Sequence, residues 1–108
     1  MTEPQNNVSW TPEDVRDVLR VVIDPELDIN IVDLGLVYEI ELKGSLVNVT
    51  MTLTSPGCPF GPYIVQQVQA AGKTMKGIED VNVEIVWDPP WGPEYMSEDI
   101  RLELGFDV

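Results

Sequence analysis

Between Leu36 and Leu53 the chain changes character with every residue. Leu36, Tyr38, Ile40 and Leu42 alternate with Val37, Glu39, Glu41 and Lys43; after Lys43-Gly44-Ser45, Val47, Val49, Met51 and Leu53 alternate with Asn48, Thr50 and Thr52. A repeat of two residues puts successive side chains on opposite faces of an extended backbone, and a helix cannot satisfy it. The stretch therefore predicts a β-hairpin with one apolar face and a turn at Gly44. That face needs a second layer to cover it.

The covering elements are legible on either side. Thr11 is the predicted N-cap of a first helix, with Pro12 at its first position and Asp14 where a capping-box acid belongs. Val15, Val18, Leu19 and Val22 then recur at helical spacing, and Pro25 is expected to end the helix. A second helix is predicted over 62–76, with Gly61 as N-cap, Pro62 at N1 and Ile64, Val68, Ala71 and Met75 as its buried stripe. "DVNVEIVWD" reads as a third strand facing inward through Val81, Val83, Ile85 and Trp87. A short last helix runs from a Ser97 cap to a closing Gly105. The order is α-β-β-α-β-α: an α+β two-layer domain, with strands near 35–43, 46–54 and 80–87 and the helices on one face of a three-stranded sheet. The whole chain, 1–108, reads as one domain, with 1–8 expected to be flexible.

Charge and cysteine usage narrow the function. The net charge is -13, which repels phosphate backbones and anionic membranes, so neither nucleic acid nor a membrane is an expected partner. No apolar run approaches the length of a membrane span. The polar, acidic start is no secretory signal, and a single cysteine cannot form an internal disulfide. Together these predict a cytoplasmic protein.

That cysteine, Cys58, stands in "TSPGCPFGP", in a chain without histidine. It precedes the second predicted helix by less than a turn. The free N–H groups and partial positive charge of a helix start favour a thiolate, so Cys58 is expected to be accessible and to titrate below about 8.5. A cysteine that merely fills space is the competing reading. Asp24, Glu26, Asp28 and Asp33 form an acidic stretch. It does not make an EF-hand, because Ile29 and Gly35 stand where glycine and glutamate would be required; a solvated turn is the simpler account. In "WDPPWGP", Trp91 is the candidate for docking a partner, whereas Trp87 is expected to cover the end of the sheet.

Three segments carry a resemblance. "VIDPELDINIVDLGLVYEI", "LTSPGCPFGP" and "VWDPPWGPEYMSEDIRLELG" are similar, in order and spacing, to the motifs of the MIP18-like family, the former domain of unknown function 59. The family includes SufT-like proteins and the PaaD protein of phenylacetate degradation. The resemblance implies the fold of the NifU C-terminal domain and an accessory, non-enzymatic role in iron–sulfur cluster assembly. It assigns function to Asp24, Glu26, Asp33, Thr54 and Cys58. Gly57 stands where many eukaryotic members carry histidine, which argues against a Cys–His metal pair. One thiol per chain cannot hold a cluster that needs four cysteine-type ligands, so no stably bound cofactor is expected. Cys58 would instead contact iron or a cluster transiently. The implied partners are the assembly machinery or client apoproteins, and a homodimer would bring two thiols together. The alternatives are a pathway-specific PaaD-like factor and a pure interaction module with a structural cysteine. An enzyme with Cys58 as nucleophile lacks a histidine base.

Overall fold

The computed structural model describes residues 10–54 and 59–105. Helix α1 (Pro12–Leu19) starts as the sequence predicts: Thr11 Oγ1 accepts from the Asp14 amide, and Asp14 Oδ2 accepts from the Thr11 amide at 2.9 Å. It stops five residues before Asp24 and does not run on to Pro25. The chain leaves it through a turn, in which the Val21 and Val22 amides bond to the Val18 and Leu19 carbonyls, and becomes extended at Ile23. β1 (Ile23–Asp24) pairs antiparallel with β2 (Ile29–Asn30) in a tight hairpin, and Asp28 turns the chain with φ 59°.

The main sheet has the order β3-β4-β5: β3 (Val37–Lys43) lies antiparallel to β4 (Leu46–Met51), and β4 lies parallel to β5 (Asp80–Ile85). Register places Leu42, Val47 and Val81 in one row and Ile40, Val49 and Val83 in the next, so all six face the same way. Helix α2 (Gly61–Lys73) crosses from β4 to β5. Its Ile64, Val68 and Ala71 meet α1's Val15 and Leu19 in the core over that face. Each large aliphatic side chain fully buried there contributes about 1.5–3 kcal/mol. A 3-10 turn (Pro93–Tyr95) leads to α3 (Glu98–Leu104), which Ser97 caps and Gly105 closes at φ 83°.

Three further local expectations change. A bulge between Val37 and Glu39 shifts the β3 register, so Val37 joins the core while Tyr38 stays half-buried. α2 begins one residue earlier than expected, with Phe60 as N-cap and Gly61 as its first helical residue. β5 stops at Ile85, leaving Trp87 past the strand end and 44% exposed instead of inward. Among the described residues no helix is long and apolar enough to cross a membrane.

Candidate functional site

The acidic segment, the base of the cysteine loop and the closing tryptophan segment converge at the end of the sheet where β4 and β5 finish. The Thr52 amide donates to the Leu36 carbonyl at 2.8 Å, and the Val86 amide donates to the Met51 carbonyl at 2.9 Å. The strand leading into the loop is thereby bonded both to the end of the acidic segment and to the start of the tryptophan segment. The closing segment in turn grips residues 33–35. The Ser97 amide donates to the Asp33 carbonyl at 2.8 Å, and the Trp91 indole N–H donates to the Leu34 carbonyl at 2.7 Å. Gly35 has φ 80°, and a Cβ there would collide with the Tyr95 carbonyl. Glycine is required on both counts.

The four acids singled out by sequence separate sharply. Asp24 is 0% exposed. Its Oδ1 accepts from the Glu26 amide at 2.8 Å and the Leu27 amide at 3.3 Å, which fixes the turn after β1. Its buried Oδ2 has no hydrogen-bond partner among the described residues. Glu26 and Asp28 are exposed. Asp33 is half-buried, and Asn30 fixes it twice: Asn30 Nδ2 donates to Asp33 Oδ2 at 2.9 Å, and the Asp33 amide donates to Asn30 Oδ1 at 2.8 Å. Arg20 Nε lies 3.7 Å from its other oxygen.

Thr54 is half-buried, at the last described position before the loop. Cys58 lies outside the described residues. Phe60, the N-cap of the 13-residue α2, makes no side-chain cap bond to the helix's first N–H groups. Trp91 packs against the core and braces the acidic segment, while Trp87 is the more exposed of the pair. Thr52, not among the residues singled out by sequence, is 0% exposed at the base of the loop. Its signal is a polar residue just past the apolar strand, next to the glycine-proline loop.

A groove of about 630 Å³ opens beside this junction, lined by Arg16, Val37, Tyr38, Thr50, Val86 and Tyr95 among others. The Tyr38 and Tyr95 rings lie 5.7 Å apart, and the Tyr38 hydroxyl donates to the Pro89 carbonyl at 2.9 Å. Burial, and then the neighbouring Tyr95 and Glu94, push the Tyr38 phenol above its ordinary value of 10.0. Arg16 Nη1 donates to the Val37 carbonyl at 3.3 Å. Among the described residues no three cysteine, aspartate or glutamate side chains are grouped to hold a metal.

Residues 12–85 match the family model described as "Iron-sulfur cluster assembly protein". The chain is 40% identical over 102 residues to a Porphyromonas gingivalis protein named "Fe-S protein maturation auxiliary factor", an overlap covering 94% of this chain and 97% of that one. It is 49% identical over 86 residues to the Staphylococcus aureus "Fe-S protein maturation auxiliary factor SufT", covering 79% and 98%. Its fold superposes with a TM-score of 0.83 on the crystal structure of the domain of unknown function 59 from Bacillus anthracis, at 38% identity, covering 87% of this chain and 91% of that one.

Proposed function

Because this chain belongs to the iron–sulfur cluster assembly family, we propose that it is an accessory factor in the maturation of iron–sulfur proteins, not an enzyme, and that it acts through Cys58. The overlap with a named maturation factor along nearly the whole of both chains carries the reading. The cargo is iron or a cluster in transit. The Cys58 thiolate supplies one soft sulfur ligand, and the remaining ligands come from the donor or recipient protein. The chain's own part is positional. The hydrogen bonds at Thr52, Leu36 and Met51 fix the strand from which the loop departs, and the start of α2, where Phe60 makes no side-chain cap bond, follows the loop. Thr54 and Asp33 support the loop and its surroundings; Trp91 holds the acidic segment against the closing turn. A partner docks on the closing segment that carries Trp91, which is half-buried and bonded to Leu34; the neighbouring Trp87, 44% exposed, adds to the same surface.

Deleting the gene tests this. Cluster-dependent enzymes are expected to lose activity while their polypeptides accumulate normally, and more so when iron is scarce. The parent gene restores them and Cys58→Ser does not, since an oxygen of similar size offers no soft ligand. Unchanged cluster-enzyme activities under both iron-replete and iron-poor growth would overturn the proposal. Full rescue by Cys58→Ser would reduce the chain to an interaction module.

A further inference from the structure

On the β1–β2 hairpin, away from the 630 Å³ groove, lies a second groove of about 440 Å³. Its apolar walls come from two elements: Ile23, Leu27 and Ile29 of the hairpin, and Ile100 and Leu104 one turn apart on α3. Three of these side chains face water to an unusual degree: Ile23 is 41% exposed, Leu27 39% and Leu104 44%. Scattered exposed aliphatics are common, but aliphatics gathered along one groove mark a surface made to be covered. The charged residues lining it, Asp28 and Glu103, are both acidic.

We infer that this groove is a docking site for a partner protein's short apolar segment flanked by lysine or arginine. Charge selects that occupant. A second copy would set Asp28 and Glu103 against identical acids, within a pair of chains that each carry -13. An anionic membrane would be repelled for the same reason. A basic, aliphatic segment buries the leucines and meets the acids at the rim. The hairpin wall is also held from inside: Asp24 Oδ1 accepts from the Leu27 amide itself. The inference concerns a different surface from the thiol loop and stands whether or not Cys58 acts.

The test is a fluorescence-anisotropy titration at 0.15 M salt, roughly physiological strength. The probe is a labelled amphipathic peptide with leucine at i, i+3, i+4 and i+7 and lysine elsewhere; the control peptide has serine for each leucine. The full chain is expected to bind the leucine peptide at least about tenfold more tightly than the serine peptide. Leu27→Ser and Leu104→Ser each remove most of that difference. Both positions are exposed, so the fold should survive, and circular dichroism verifies that it has. Asp28→Asn with Glu103→Gln weakens binding severalfold and flattens its salt dependence. Equal binding of both peptides, no binding of either, or unchanged binding by Leu27→Ser and Leu104→Ser together would overturn the inference. Tighter binding by Phe106→Ser would assign the groove to the chain's own last residues, and self-association lost in Leu27→Ser would assign it to a second copy; each outcome overturns it as well.

Discussion

Replacing Asp24 by alanine and by asparagine separates the roles of its two oxygens. Alanine strands the Glu26 and Leu27 amides that Oδ1 holds. It is expected to cost roughly 2–4 kcal/mol, since bonds to a charged acceptor are each worth about 1.5–3. Asparagine keeps an oxygen for both amides and should cost clearly less in urea unfolding. If the buried Oδ2 has a functional partner, the asparagine variant folds but fails to restore cluster enzymes in the deletion strain. Equal destabilisation by both changes would show that the amides are not what Asp24 holds. The sequence pointed at Asp24 only as one acid among four in the stretch 24–33. Nothing in residue type separates the buried Asp24 from the exposed Glu26 and Asp28, because burial is decided by where the hairpin packs. Thr52 was hidden for the opposite reason: period-two alternation pairs it with Thr50 on the open face. The strand ends one residue earlier, at Met51, and the Thr52 amide turns to Leu36.

At the level of elements, the tightest joint lies between the acidic segment and the 3-10 turn. Gly35→Ala combines a left-handed backbone with a Cβ driven into the Tyr95 carbonyl. The expected loss is about 2–5 kcal/mol. Gly44→Ala, at φ 62° with nothing within 4 Å of its Cβ, should lose only about 1–2 kcal/mol. Thermal unfolding of both variants checks the contrast, and equal losses would mean that the clamp at Tyr95 yields freely. The hairpin, α2 and the caps of α1 and α3 were legible because each is written locally, in alternation, in helical spacing, or in Thr11 and Ser97. The early end of α1, the bulge at Val37 and the exposure of Trp87 were not. Nor was the bond from Trp91 to Leu34, which spans an interval of 57 residues and leaves no periodic trace.

Across the whole molecule, 19 acids face 6 bases. The ion pairs among the described residues involve only Arg16, Arg20 and Lys43. Most acids therefore repel one another without relief, which favours expansion. Raising salt from about 0.02 to 0.5 M shortens the screening length several-fold and should raise the unfolding midpoint by roughly 3–8 °C. Calorimetry measures it, and a midpoint that falls or stays put would show that the surface charge is already balanced. The direction of β4 has a practical consequence too. The strand starts beside the open turn at Gly44 and ends at the thiol loop, and its six residues span roughly 20 Å. A tether or surface attachment placed at that turn would hold the molecule by the end of β4 opposite Thr52, leaving the only sulfhydryl of the chain untouched for single-molecule work.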